Sequence, residues 1–461
     1  MTPHRLLPFV CAALFAPALA AAQTPPAPAP SSTPATATAE APSRTVTFVE
    51  ALRLAFRQPP AVRAALARIA IANHQIDQAR AAWLPTVGVS SSPTVSYSDR
   101  PGQINPLTGQ TVRFQNSAFN VDGTASVRWN VYDFGRTSAN VRATERGRDA
   151  TTEDARTAGL QAVQSAAQQY LAVLGDLEAI ESARVSLAQR EAHLRIAHGR
   201  VEAGAAGPND EVRAQVDLDA GRLDLSAAEA QLLGDRAALT ATLGLDPVHG
   251  VEVVRVAPDD LAVDDDPARA ARDAMAARPE FAAARFRLEQ AEAQRDLARA
   301  NRLPAITASG SGSISHNEVL SGTGLGGNAY SLGAGLGVSW SAYDGSLSPA
   351  LRAAESAVTA AQETLDAQSL TVRTLAVQAA LATRSARAQL EQAERLAAGA
   401  AANLELASGR YAGGAAPLLE LVDAQAADAS ARVAVVRAHV TLALSRAQLL
   451  STTGRLERFV Q

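Results

Sequence analysis

Lysine is absent from the 461 residues, so all 42 basic side chains are arginine; there is a single cysteine, Cys11, and there are two methionines. Aromatic residues make up 4% of the chain and charged residues 19%, below the roughly 25% usual for soluble domains. Beyond the first 22 residues every apolar stretch is broken by charged or polar side chains, so no transmembrane helix is expected. A net charge of −4 without a basic block excludes the electrostatic footprint of general nucleic-acid binding. What is abundant is alanine. It is the largest contributor to the 47% apolar share, ahead of Leu, Ile and Phe, which argues against an enzyme built on a large hydrophobic core.

Residues 1–22 carry His4 and Arg5, an apolar stretch from Leu6 to Leu19, and small residues at Ala18, Ala20 and Ala22. This pattern predicts a secretory signal peptide cut near Ala20 or Ala22, hence export. Cleavage removes Cys11, so no disulfide is available to the mature chain. Cys11 follows Pro8, Phe9 and Val10, a poor match to a lipoprotein signal, so N-terminal acylation is not expected. Residues 23–44 are almost entirely Pro, Ala, Thr and Ser and read as a disordered tether.

Self-comparison finds a repeat. Arg80 to Pro85 recurs as Arg299 to Pro304, displaced by 219, and the same displacement places Pro60 on Pro279 and Asp77 on Asp296. Trp129, Tyr132 and Asp133 recur as Trp340, Tyr343 and Asp344; Arg200, Gly204, Ala214 and Gln215 recur as Arg410, Gly414, Ala424 and Gln425. The mature chain therefore reads as a tandem duplication, 45–257 and 266–456, joined by an acidic turn around Asp259 to Pro267.

Each half contains two kinds of segment. Residues 137–203 have no proline and 347–412 have only Pro349, within the first turn, and as helices each would span about 100 Å at ~1.5 Å per residue. In the helix after Pro417, Val422, Ala426, Ala429, Val433, Val436, Val440, Ala443, Ala447 and Leu450 follow a 4,3 spacing. After Pro208, Val216, Ala220, Leu223, Ala227, Ala230, Gly234, Ala237 and Ala241 do the same, predicting coiled-coil seams of small residues. The second kind alternates with period two. Residues 120–132 and 329–341 do so clearly, 86–97 and 305–315 less strongly, each about ten residues or a little longer. In an exported chain such segments match membrane β-strands, with Trp129, Tyr132, Trp340 and Tyr343 near strand ends as an interfacial aromatic girdle. The segment 98–117 reads as the longer external loop. Four strands cannot close a barrel, which needs at least about eight, so the chain must self-associate; two or three copies both satisfy the count.

These marks resemble the TolC-type outer membrane efflux protein family over essentially the whole mature chain. They are the duplicated Leu-Pro before a strand (Leu84-Pro85, Leu303-Pro304), Tyr132-Asp133-Phe134-Gly135 with Tyr343-Asp344-Gly345, and Arg410-Tyr411 through Gln425. The resemblance implies a homotrimer: a twelve-stranded outer-membrane β-barrel, four strands per chain, continuous with a long periplasmic α-helical barrel. It implies a passive, non-enzymatic exit duct of a tripartite efflux pump or type I secretion system. Its partners would be a periplasmic adaptor, an inner-membrane pump or ABC exporter, and outer-membrane lipid. The alternative in another class is a structural coiled-coil protein, an adhesin or stalk.

Two turns interrupt the helices at equivalent places, Gly204-Ala205-Ala206-Gly207-Pro208 and Gly413-Gly414-Ala415-Ala416-Pro417. Asp210, Glu211 and Glu420 fall in first helical turns, where the helix dipole favours carboxylates. Glu420 and Asp423, three apart, share a helix face and in a trimer would form rings of carboxylates. The resemblance implies that Asp423 and Glu420 close the periplasmic entrance. It also implies that Tyr411 links to Asp210, while Ala416 occupies the position of the family's basic latch residue; either the gate closes less firmly or another arginine substitutes. By the same resemblance the turns, Gly204, Ala205, Gly207, Gly413, Gly414, Ala415 and Ala416, should meet the adaptor.

Other signals carry less. Gly322 to Gly327 fits a GxGxxG pattern but lies between two strands and opens no helix, so no dinucleotide site is expected. The seven histidines are scattered, His193 and His198 do not share a helix face, and no metal-ligand cluster, catalytic constellation or cofactor site is expected.

Overall fold

The computed structural model describes residues 45–104, 109, 111–255, 263–321 and 326–456. The expected signal peptide, the tether, the first part of the acidic turn and most of the GxGxxG segment lie outside them. Element order is β1 (Thr45–Val46), α1 (Phe48–Arg57), α2 (Pro60–Arg80), a 3-10 turn (Ala81–Trp83), β2 (Thr86–Ile104), β3 (Thr111–Tyr132), α3 (Arg136–Glu202) and α4 (Pro208–Thr242). It continues with β4 (Glu252–Val253), α5 (Pro267–Ala277), α6 (Pro279–Ala300), β5 (Ala305–Ser321), β6 (Gly327–Ser339), α7 (Leu347–Ala412) and α8 (Leu418–Thr452). The series α1, α2, β2, β3, α3, α4 thus recurs in order as α5, α6, β5, β6, α7, α8. Start signals recur too: Pro60 and Pro279 open α2 and α6 at a position whose N–H would have no helical partner.

The four long strands form one antiparallel sheet in the order β2-β3-β5-β6. They run 19, 22, 17 and 13 residues, longer than the alternation alone indicated. Part of the expected external loop 98–117 is strand: β2 and β3 stay paired out to Ile104 and Thr111 across a register shift between Arg100 and Gln103. Backbone pairing continues there after the side-chain pattern fades, because ladder bonds need no alternation. Pro93 lies inside β2, an edge strand of the sheet within one chain.

Both 100 Å helices are present, α3 at 67 residues and α7 at 66. The 4,3 period of their partner helices also holds; along α4 its phase within the chain differs from the expected one, while along α8 the expected residues Val440, Ala447 and Leu450 do pack within the chain. Along α4 the more buried positions are Ala214, Leu218, Gly221, Leu225, Ala228, Leu232, Asp235 and Leu239; along α8 they include Leu421, Ala424, Asp428, Ala431 and Ala438. The expected seam residues Val216 and Leu223 remain 64% and 71% exposed. Two apolar stripes share α4, and the chain's own neighbours take up the one that carries Leu218, Leu225, Leu232 and Leu239. Close approach needs small residues: a Cβ added at Gly175 of α3 would lie 2.5 Å from Val440 of α8. Ion pairs tie the neighbouring helices α2, α3, α6 and α7, among them Arg80–Glu145 at 2.7 Å, Arg146–Glu289 at 3.0 Å and Arg299–Glu355 at 3.6 Å.

The main apolar cluster gathers α1, the middle of α3, and the ends of α4 and α8 around fully buried Tyr170. The Tyr170 hydroxyl lies 2.6 Å from the Val254 carbonyl and 3.0 Å from the Val46 carbonyl, and accepts from the Val254 N–H at 3.0 Å. It thereby holds the two-residue parallel pair β1–β4, which the sequence reading lacked, against the helices. Near this level Asp176 of α3 meets Asp235 of α4, and burial, then the hydrogen bond to Asp235 and its charge, push the Asp176 carboxyl up to about 7. A carboxyl raised on folding is penalised from about pH 4, and the penalty is complete above pH 7. Asp176→Asn should therefore raise the thermal unfolding midpoint relative to the parent by an amount that grows between pH 5 and pH 8; a constant difference would exclude this.

Candidate functional site

At one end of the long helices the sheet passes into the helical layer through paired turns. The carboxylate of Asp133 accepts from the Gly135 N–H at 3.2 Å and the Thr137 N–H at 2.8 Å, so it caps the start of α3 as β3 ends. Asp344 accepts from the Ser346 N–H at 2.8 Å at the matching start of α7. The indole N–H of Trp129 donates to the Trp83 carbonyl at 2.9 Å, and that of Trp340 to the Arg302 carbonyl at 3.1 Å. These acceptors are themselves repeat counterparts, displaced by 219. Trp129, Tyr132, Trp340 and Tyr343 all keep exposed ring surface, from 44% for Trp129 to 91% for Tyr343.

At the other end two helical hairpins, α3–α4 and α7–α8, close through turns of matching geometry. Gly204 and Gly414 take φ of +67° and +73°. The Ala205 and Ala415 N–H groups each reach back 2.8 Å to the carbonyls of Arg200 and Arg410, closing left-handed helix ends that glycine permits. Gly204, Ala205, Gly207, Gly413, Gly414 and Ala415 are exposed, as a contact surface requires. Ala416 is not: it is 8% exposed, because the chain turns inward there to start α8, and it drops out of the expected contact face.

The acidic residues separate. Asp423 is exposed and enters none of the ion pairs among the described residues. Glu420, expected to stand beside it as a second ring carboxylate, is bound to Arg410 of its own hairpin at 2.5 Å, so much of its charge is met within the chain. Tyr411 is 1% exposed, and its hydroxyl has no well-formed hydrogen bond. Asp210 is half-buried and close enough to act on Tyr411 by charge, but the expected tyrosine-to-acid hydrogen bond is not formed. Burial pushes the Tyr411 phenol above its ordinary range and the Asp210 charge adds to it, against the opposing pull of Arg200. Arg200 lies over the Tyr411 ring with its guanidinium carbon 4.3 Å from the centroid.

The comparisons with known proteins agree with this architecture. The outer membrane efflux protein pattern matches residues 51–245 and 270–455. The chain belongs to the outer membrane efflux protein family. It is 28% identical over 431 residues to Protein CyaE of Bordetella pertussis, covering 90% of this chain and 85% of CyaE. Among solved structures it is similar to the CmeC outer membrane channel of Campylobacter jejuni (TM-score 0.71, 17% identity, 88% of this chain and 85% of that one). It is also similar to the open state of the MtrE outer membrane channel of Neisseria gonorrhoeae (TM-score 0.66, 21% identity, 90% of each chain). The family places the chain in the outer membrane, with its helices reaching into the periplasm, as an exit duct for efflux or secretion. The adhesin or stalk alternative falls with this assignment.

Arg200, Arg410 and His198 complete the hairpin ends and were not selected from sequence as site residues. The two arginines were legible only as repeat counterparts, and the His198-to-Glu202 spacing of four was a readable helix-face pair. His198 Nδ1 lies 2.9 Å from Glu211 across the turn, and Nε2 lies 3.2 Å from Glu202. The hydrogen bond to Glu211 and the charges of Glu202 and Glu211 raise its pKa. A raised histidine holds its charged link below the folded pKa and loses it as pH rises through that value. His198→Gln should therefore reduce hydrogen-exchange protection of residues 203–207 relative to the parent at pH 5.5 and leave it unchanged at pH 8. Equal protection at pH 5.5 would rule the link out.

Proposed function

We propose that three copies of the chain close a twelve-stranded barrel in the outer membrane, continuous with a periplasmic helical duct, and that the hairpin ends form its gate. The observation that carries this reading is the pair of open edges on a four-stranded sheet, β2 on one side and β6 on the other. Unpaired edges are not tolerated in lipid, and three such sheets supply twelve strands within the range of closed barrels. The exposed stripe of Val212, Val216, Leu223 and Leu419 supports the same association along the helices. Each copy then comprises two repeats, 45–257 and 266–456, of one ancestral unit.

In this assembly the three Asp423 carboxylates converge on the axis at the periplasmic end. Like charges at a narrow aperture attract cations and bias passage through it. A periplasmic adaptor docks on the exposed turns 204–207 and 413–415, and an inner-membrane pump or ABC exporter supplies the energy.

Trimers should run as a heat-modifiable band in the outer-membrane fraction, with single channels visible in planar bilayers; monomer alone in unboiled samples would overturn the assembly. Asp423→Ala should raise single-channel conductance and lower cation selectivity, and unchanged values would remove Asp423 from the gate. Ala205→Trp and Ala415→Trp, at exposed positions without positive φ, should abolish export while trimers persist. Normal export in both would move the adaptor elsewhere.

A further inference from the structure

We propose that Arg200 is the latch that holds the second hairpin against the first, in place of the basic residue that Ala416 does not supply. The proposal rests on the gate reading above and names the contact that keeps the gate closed. Arg200 sits in the last turn of α3. Its Nη1 donates to the Tyr411 backbone carbonyl at 2.5 Å, and its Nη2 donates to the carbonyl of Ala205, in its own turn, at 3.5 Å. The face of the same guanidinium covers the Tyr411 ring. One planar cation therefore joins three groups: its own turn, the end of α7, and the aromatic face between them.

Two features make Arg200 the group that does this. Its repeat counterpart Arg410 is bound to Glu420 within the second hairpin and is not turned to the first. The Tyr411 hydroxyl has no well-formed hydrogen bond, so the carbonyl and the ring carry the link. The second feature revises what the tyrosine is for. Tyr411 serves as a flat surface and a fixed helix end, and its phenol oxygen is dispensable. Arg200 acts through Tyr411 and does not touch cargo, so it is a positioning residue.

The test is single-channel conductance of purified trimers, with the unboiled trimer band as the folding control. R200M and Y411L should each raise conductance severalfold, and the double variant should go no further than the larger single effect, because both remove one contact. Y411F should keep parental conductance. R200K keeps the charge but loses the planar stack and the fork, and should fall between parent and R200M. Where R200M gives no trimers, R200K decides, and parental conductance in R200K overturns the latch. Parental conductance in R200M, or Y411F as open as Y411L, also overturns it, while a raised conductance in Asp423→Ala leaves the gate itself in place. Parental values in both R200M and Asp423→Ala overturn the latch and the gate together.

Discussion

A β-strand cannot leave its edge unpaired in lipid, and the sheet of this chain has two such edges. Everything else in the molecule is arranged around that constraint. Four strands are too few to curl into a closed barrel, so in the proposed assembly the edges are met by other copies. Once copies are joined through the sheet, the helices that leave it are set side by side, and their flanks must also match. The helices therefore carry more apolar surface than one chain can bury. What is anomalous in the isolated chain, a 64% exposed Val216 beside a buried Leu218, is ordinary for a wall element with neighbours on both sides.

Alanine makes that wall thin. Large side chains at a helix seam hold axes apart, whereas Ala and Gly let them approach, as at Gly175 against Val440. The loss is in apolar area buried per residue, which small side chains cannot supply. The chain offsets it with length, two helices of 67 and 66 residues, and with inter-helix ion pairs such as Arg146–Glu289. Surface ion pairs are individually weak, but repeated along 100 Å they fix the register that featureless alanine faces leave loose.

Much of this was legible before any coordinates. The boundaries of α3 and α7 were bracketed by Gly and Pro, and the repeat displacement alone paired Trp129 with Trp340. The strand ends were not legible, because ladder bonds continue past the point where side chains stop alternating. The helix phase was missed for a different reason. A 4,3 pattern identifies a seam but not which of two seams is filled from within the chain, and in α4 the leucine-rich stripe of Leu218, Leu225, Leu232 and Leu239 is the one so filled. The Glu420–Arg410 pair was not legible because it joins residues ten apart across the turn and depends on how the turn folds back.

The hairpin ends show what an arginine-only chain can do that a lysine could not. The proposed gate must hold closed yet open without unfolding, so its ties should be few and polar and should end on rigid backbone. A lysine ammonium is a point charge that would favour one partner, and the nearby Asp210 carboxylate would compete for it. A guanidinium has in-plane donors and an apolar face, so Arg200 can bond two carbonyls and cover Tyr411 at once. Its acceptors are helix-end carbonyls, groups every helix leaves under-satisfied, so the tie needs no matching acid on the second hairpin. That explains how Ala416 can stand where a charge was expected. A small residue there lets the chain turn inward to begin α8, and the charge that joins the hairpins arrives from the opposite helix.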